Sequence, residues 1–311
     1  MRILHLDAGR EMRGGQWQVF RLIEGLAAAG VESTLLARRG APLFEAARRQ
    51  GWRVEGLGLM RTMMLARGHD LMHAHDARGH TLGAIAHGAP LVVSRRVAFA
   101  VGQRPSKLAS QWKYGRAARY VAVSEFVKSV LMRGGVPEEK ISVVYDGVPV
   151  LEVGGQVGDP GRGPFRLPHV VAPANADDPR KGAALAMQAA QIAGVDLHFS
   201  RDLERDLRHA TLFVYVTYSE GLGSGALLAM SAGVPVVASL VGGLSEVVRH
   251  GVDGLLVDNQ PEAIAEAIRH VLDNPGLARS MGGAARQTVI ERFTVDQMVR
   301  RTLEVYRQVL N

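Results

Sequence analysis

The sequence predicts a parallel α/β protein built in two halves, and three observations carry that prediction. Short apolar runs of strand length alternate with longer runs of helical period along nearly the whole chain. A segment at 151–168 with five Gly and three Pro interrupts the alternation, and such a composition holds no regular element. Each half also carries Gly-rich turns leading from a strand into a helix, where open α/β sheets bind ligands beyond their strand carboxyl ends. A length of 311 residues suits two domains of ordinary size.

The elements follow in order. Residues 2–6 read as the first strand, and 16–29 as a helix with Trp17, Phe20, Ile23 and Ala27 on one face. Gly30 ends that helix and 32–37 is the next strand. A helix at 42–50 and strands at 71–74, 91–94 and 119–123 come next, and Ser124 is placed to cap a helix over 125–133. A strand at 142–145 closes the first half. After the linker at 151–168, strands are expected at 169–172, 196–199, 212–217 and 234–238. Helices are expected at 183–193, 203–210, 225–232, 244–250 and from Pro261 onward. Phe293 and Thr294 precede a last helix that runs to Leu310.

Composition narrows the function classes. An apolar content of 47% with 22% charged residues is that of a globular protein. No run approaches the roughly 18 apolar residues of a membrane span, and the first residues read as a strand, so no leader is expected. With no Cys, disulfides, thiol nucleophiles and Cys-zinc sites are excluded, and a cytoplasmic location is expected. The charge is uneven: residues 1–150 hold 22 Lys+Arg against 12 Asp+Glu, and residues 151–311 hold 15 against 18. A basic first half attracts anionic partners such as acidic lipid headgroups or a phosphorylated acceptor. An Arg-rich composition explains the same excess, since 32 of the 37 basic residues are Arg. Nucleic-acid binding has only charge behind it and is not expected.

Four constellations bear chemistry. Gly14-Gly15 before the first long helix allows an anion to approach helix amides, although turn formation alone explains such a pair. The spacing is not G-x-G-x-x-G, so a nicotinamide or flavin has little support. The run Asp70-Leu-Met-His-Ala-His-Asp76 puts His75 at a strand carboxyl end, where an imidazole can donate to a sugar hydroxyl or share a proton. His73 lies on the same side of the strand, but no third ligand stands at a suitable spacing and no Asp-x-Asp occurs, so no metal is expected.

In the second half, Asn175-Ala-Asp-Asp-Pro-Arg-Lys-Gly182 places Lys181 at a helix start, where a cation stabilises a departing phosphate oxygen. A solvated cationic loop explains it equally well. Most informative is Glu220-Gly-Leu-Gly-Ser-Gly-Ala-Leu-Leu-Ala-Met230, a carboxylate on a Gly-rich loop that opens a helix. Amides at a helix N-terminus favour an anion, and a carboxylate beside them suits a polyhydroxylated group, so a sugar joined to a diphosphate satisfies both. A further Gly-rich turn, Val241-Gly-Gly-Leu-Ser-Glu246, repeats the pattern, and first-turn capping accounts for Glu246. The pair Arg95-Arg96 after a strand is a candidate for meeting an anionic acceptor or donor.

Taken in order, Gly14-Gly15, His73-Ala-His75, Val121–Val127, Lys140–Val148, Asp178–Gly182, Glu220–Gly223, Gly242–Glu246 and Gly251–Val257 resemble the group 1 (family 4) glycosyltransferases over nearly the whole chain. The resemblance implies the GT-B fold: two Rossmann-like domains with a cleft between them. Residues 1–150 would form the acceptor domain, with helix 294–311 packing back on it. Residues 151–168 would be the linker, and residues 169–293 the donor-nucleotide domain. It also implies a retaining, metal-independent transfer of a sugar from a nucleotide diphosphate sugar to an acceptor hydroxyl, with no cofactor.

By that resemblance His75, Glu220 and Lys181 are the catalytic candidates, and Gly14, Gly15, Asn175, Leu222, Gly223 and Ser224 bind the donor. Arg95 and Arg96 would meet acceptor or phosphate. The implied acceptor is a lipopolysaccharide or other lipid-linked glycan, with an anionic membrane surface as a further partner and a place at the inner membrane face. Three departures lie on the donor side. Leu228 stands where the family carries a second Glu, Asn175 stands where a loop Arg is usual, and one strand–helix unit is short before residue 212. A non-catalytic glycan-binding or partner protein, and a nucleotide-sugar epimerase or phosphorylase of the same architecture, therefore remain alternatives.

Overall fold

The computed structural model describes residues 1–97, 107–151, 169–174 and 178–311. Most of the expected linker, 152–168, lies outside the described residues. The described chain divides into two compact units, Met1–Gly147 together with Val295–Asn311, and Val148–Thr294.

The first unit holds seven parallel strands: β1 (Arg2–Asp7), β2 (Glu32–Ala37), β3 (Arg53–Gly56), β4 (Leu71–Ala74), β5 (Leu91–Arg95), β6 (Arg119–Ala122) and β7 (Ile141–Val143). Their spatial order is β3-β2-β1-β4-β5-β6-β7. The order reverses between β1 and β4, so the loops after these two strands open on the sheet's switch point. β1 pairs with β2 on one side and with β4 on the other, setting His5 beside His73.

Strand β3 and the helices Leu59–Ala66 and Lys107–Gly115 were not expected. β3 reads Arg-Val-Glu-Gly with one large apolar residue, because it is a partly exposed edge that needs no apolar run. Ser124 does cap the helix Glu125–Arg133, its hydroxyl accepting from the Val127 amide at 3.0 Å.

The last helix, Val295–Leu310, belongs to this unit. Met298, Val299, Val305 and Tyr306 are buried in one core with Ile3, Leu22, Leu26, Leu71, Val92 and Val121. Gly25 makes the crossing possible: a Cβ there would lie 2.5 Å from Val299 Cγ2. Burial of such aliphatic side chains contributes about 1.5–3 kcal/mol each, which is what anchors this terminal segment.

The second unit holds five parallel strands: β8 (Val170–Pro173), β9 (Leu197–Ser200), β10 (Leu212–Tyr215), β11 (Val236–Ser239) and β12 (Leu255–Val257), in the order β12-β11-β10-β8-β9. Its switch point falls between β8 and β10, strands that pair directly. Only β9 and the short helix Leu203–Asp206 lie between the helix Ala183–Ala193 and β10. The core joins Val170, Leu212, Val214 and Val237 of the sheet to Ile264, Ile268, Val271 and Met281 of the following helices.

Candidate active site

In the second unit the loops after β8 and β10 bring together two of the expected residues. Lys181 Nζ donates to Glu220 Oε2 at 2.8 Å, and Tyr215 Oη donates to the same oxygen at 2.8 Å. Glu220 Oε1 accepts from the Gly221 amide at 3.0 Å. Burial first, and then the Glu220 charge, push the Tyr215 phenol well above its ordinary value, so it stays a donor.

Lys181 reaches this position because Gly182 turns the chain into the helix Ala183–Ala193 at φ +63°. A Cβ on Gly182 would lie 2.8 Å from Val216 Cγ1 and 3.0 Å from Val216 O, so the β8 loop packs directly on the chain leaving β10. The two loops are also sewn together by hydrogen bonds. The Arg180 carbonyl accepts from the Tyr218 amide at 2.8 Å and from Thr217 Oγ1 at 3.1 Å. Thr217 is held in turn by two elements: its amide donates to Ser239 Oγ of β11, and its carbonyl accepts from Asn259 Nδ2 beyond β12.

Beyond Glu220, Gly223 takes φ +107° and starts the helix Ser224–Ser231 with no side-chain cap. Its first amides are therefore the positive end of a short helix set beside a carboxylate and an ammonium group. Leu222 is buried and Ser224 half-buried. Gly243 supports the loop from behind. Its amide donates to the Glu220 carbonyl at 3.2 Å, and a side chain there would press into the Gly221 carbonyl oxygen. Leu228, at the position of the family's second Glu, is buried on the same helix. Asn175 lies outside the described residues.

In the first unit Gly14 and Gly15 do not precede the helix; they are its first two residues, in Gly14–Ala28. Neither glycine takes a positive φ, and Arg13 before them provides no side-chain cap. Arg96 comes nearest to Gly15, its Cδ being 3.9 Å from where a Cβ would stand. Arg95 and Arg96 are half-buried at the end of β5 rather than exposed. Arg96 Nε donates to Asp146 Oδ1 at 3.1 Å, while its Nη1 is buried with no partner among the described residues. Gln18 Nε2 is likewise buried and unpartnered, although Gln18 Oε1 accepts from the Gly147 amide. Two buried donors, one of them on a guanidinium, suit an anion.

His75 follows β4 at the switch point and is buried. Asp76 beside it is structural: it caps the helix Ala77–Ala86 through the Gly79 amide at 2.6 Å and accepts from the Ala8 amide at 2.7 Å. The third imidazole that sequence spacing did not supply comes from β1. Ligand nitrogens of His5, His73 and His75 lie within 4.8 Å of one another. Burial holds all three well below the usual histidine range, His5 at about 3, with neighbouring cationic forms adding to the effect. The only signal in the sequence for His5 is that it shares the His73 register across β1 and β4, which needs the strand pairing to be known. Tyr306, whose Oη lies 2.6 Å from His73 Nδ1, carried no signal at all.

Two parallel α/β sheets, each with its polar loops gathered at the switch point, define the GT-B class of fold, and solved structures agree. Anabaena HepE in complex with UDP and glucose superposes with a TM-score of 0.86 at 18% identity, over 99% of both chains. A glycosyltransferase from Rickettsia africae gives 0.81 at 18% identity, over 100% of this chain and 98% of that one.

Family models then match both halves: Glycosyltransferase Family 4 over residues 12–150 and Glycosyl transferases group 1 over residues 180–288. The chain belongs to the group 1 (family 4) glycosyltransferases. Among curated relatives, an alpha-maltose-1-phosphate synthase of Mycolicibacterium smegmatis is 43% identical over 110 residues, 33% of this chain and 28% of that one. A D-inositol 3-phosphate glycosyltransferase of Nocardioides is 41% identical over 109 residues, 34% of this chain and 23% of that one. These matches therefore span about a quarter of the relatives' own length. Among the described residues no helix is long and apolar enough to cross a membrane.

Proposed function

We propose that the protein transfers a sugar from a nucleotide diphosphate sugar to an acceptor hydroxyl. The observation that carries this reading is the Lys181–Glu220–Tyr215 cluster beside the uncapped helix start at Gly223–Ser224. An ammonium group and free helix amides suit a diphosphate. A carboxylate held by three donors still keeps a lone pair for a sugar hydroxyl. The UDP and glucose bound by the Anabaena neighbour support a donor of this class.

In the reaction the bond between the sugar's anomeric carbon and the diphosphate oxygen breaks, and its electron pair leaves with the diphosphate. The acceptor oxygen forms the new bond to that carbon and gives its proton to the departing diphosphate oxygen. Lys181 and the Leu222–Ser224 amides take up the negative charge that grows on the leaving group, and Glu220 holds the sugar in place. In the first unit we assign Gly14 and Gly15 to a phosphate group and His75 to a sugar hydroxyl. We assign the charge on the leaving group to Lys181 without a metal, and stereochemical retention to attack of the acceptor from the same face that the diphosphate leaves. Arg96, with Nη1 unpartnered, is assigned to an anionic group of the acceptor or donor. The excess of basic residues in the first half supports a lipid-linked glycan acceptor at an anionic membrane face.

One observation favours a second reading. Leu228 is buried and cannot hold a ribose, which leaves the donor short of an anchor, as in a non-catalytic binding protein. A thermal-shift screen of UDP-, GDP-, ADP- and CDP-linked sugars separates the two. A donor at about 100 times its dissociation constant adds roughly 2.7 kcal/mol. Stabilisation followed by sugar transfer supports the enzyme; stabilisation without turnover supports the binding protein. No stabilisation by any of them contradicts the enzyme and moves weight to the non-catalytic protein.

A further inference from the structure

The three buried imidazoles of the first unit form a stack, with ring centroids 4.0 Å apart for His73–His75 and 5.3 Å for His5–His75. Five of their six nitrogens have partners. His73 Nδ1 lies 2.6 Å from Tyr306 Oη, and His73 Nε2 lies 2.8 Å from Ser94 Oγ. His5 Nδ1 lies 3.0 Å from His75 Nε2, and His5 Nε2 lies 3.3 Å from Ser33 Oγ. His75 Nδ1 alone is buried without a partner among the described residues.

The spacing also suits a metal ion, but the surroundings do not. Both His73 nitrogens are already held by hydroxyls, and among the described residues no carboxylate joins the trio. The Arg96 guanidinium, close enough to depress the basicity of His73 and His75, repels any cation placed there. The nitrogens are instead arranged as a proton chain.

A neutral imidazole has one N–H and one lone pair, so the His5–His75 contact contains a single proton. If His5 supplied it, His75 would carry its own proton on Nδ1, a buried N–H with no acceptor. Orphaned buried N–H groups are rarer than under-used acceptors. The proton therefore sits on His75 Nε2 and is donated to His5 Nδ1. His5 then carries its proton on Nε2 and donates it to Ser33 Oγ, which is half-buried and reaches solvent.

We propose that His5 is a positioning residue that holds His75 as the Nε2–H tautomer, so that His75 Nδ1 accepts a hydrogen bond from a hydroxyl of a bound sugar. The hydroxyl half of this statement rests on the reading of His75 as a sugar-facing group; the His5 half does not. A group held this way accepts a ligand proton donor and rejects a bare acceptor at the same place. It also gives an orientation to His75 that the strand alone does not impose.

Nitrogen NMR of the ligand-free protein with isotope-labelled histidine tests it directly. The expected result is a nitrogen–nitrogen coupling across the hydrogen bond between His75 Nε2 and His5 Nδ1, with the shared proton on His75. In His5→Leu the proton should redistribute over both His75 nitrogens. In Ser33→Ala, a milder change at a half-buried site, the His5 Nε2 signal should shift and the coupling should persist. A proton on His75 Nδ1, no coupling in the wild-type protein, or stoichiometric zinc uptake by the trio overturns the proposal. If His5→Leu does not fold, the wild-type coupling decides alone. Adding UDP-glucose should then shift His75 Nδ1. A retained coupling with an unmoved Nδ1 leaves the His5 relationship standing and overturns the hydroxyl assignment.

Discussion

Lys181 Nζ and Glu220 Oε2 meet at 2.8 Å across the ends of two adjacent strands that are about forty residues apart in the chain. Glu220 is largely buried by this contact, with a side-chain exposure of 14%, whereas Lys181 keeps 30%. The pair is thus preorganised without being sealed, and an arriving anion competes with Glu220 for the ammonium group. Truncating either residue should leave the fold standing, although Glu220→Ala should cost about 1–3 kcal/mol because it leaves the buried Tyr215 hydroxyl without its acceptor. Turnover should fall by about 10²–10³ for Lys181→Ala if the ammonium group stabilises the leaving diphosphate. Steady-state kinetics with circular dichroism as the folding control checks both halves of the statement.

Gly243 should prove as sensitive as either charged residue. Its Cα sits against the backbone of the loop that carries Glu220, so an added methyl meets the Gly221 carbonyl rather than a side chain able to move. Gly243→Ala is expected to lose about 1–3 kcal/mol of stability and to weaken donor binding together with it. Urea denaturation and a donor titration on the same variant measure both. An unaffected protein would mean that the loop yields freely.

The docking of the last helix depends on Gly25 in the same way. Val299 is β-branched and lies on a helix, where one χ1 rotamer is strongly preferred, so its Cγ2 gives way to an added Cβ only at a cost. Gly25→Ala should therefore destabilise the first unit by about 1–3 kcal/mol even though Ala is the better helix former. Tyr306→Phe should cost about 1 kcal/mol through the lost bond to His73. Differential scanning calorimetry detects each as a lower melting temperature.

Acid should unfold the first unit early. His5, His73, His75 and His80 are all held below the ordinary histidine value by burial, His5 and His80 at about 3. The unfolded chain binds their protons from about pH 6.5 downward, while in the folded protein all four resist protonation well below that, His5 and His80 until about pH 3. Their stabilisation is thus complete above pH 6.5 and is lost as pH falls towards 3. Each contributes up to about 1.4 kcal/mol per pH unit in that window. Denaturation midpoints measured between pH 7 and 4 should fall steeply, and less steeply in His80→Gln.

Much of this was legible in the sequence because parallel strands buried on both faces write continuous apolar runs, as in Leu212–Tyr215 and Val236–Ser239. Glu220 and Lys181 were legible because each stands beside glycines whose backbone geometry only a tight loop requires. Other features left no such trace. β3 is an edge with little to bury, and Gly14-Gly15 looks like a turn although it is already helix. His5 and Tyr306 are long-range partners of the switch-point histidines, 70 residues from His75 and 233 from His73. No local pattern encodes such a contact; only the strand order and the return of the last helix create it. The half-burial of Arg96 left no trace either, because its ion-pair partner Asp146 stands fifty residues later.

Isothermal titration of the second unit's loop within the intact protein tests the central claim most directly. With whichever nucleotide sugar stabilises the protein most, the wild type should bind the sugar-bearing donor more tightly than the bare nucleotide diphosphate. Glu220→Ala should erase that difference while still binding the nucleotide, and Lys181→Ala should weaken both ligands. Glu220→Ala and Lys181→Ala proteins that bind both ligands as the wild type does would contradict the assignment of this cluster to the donor.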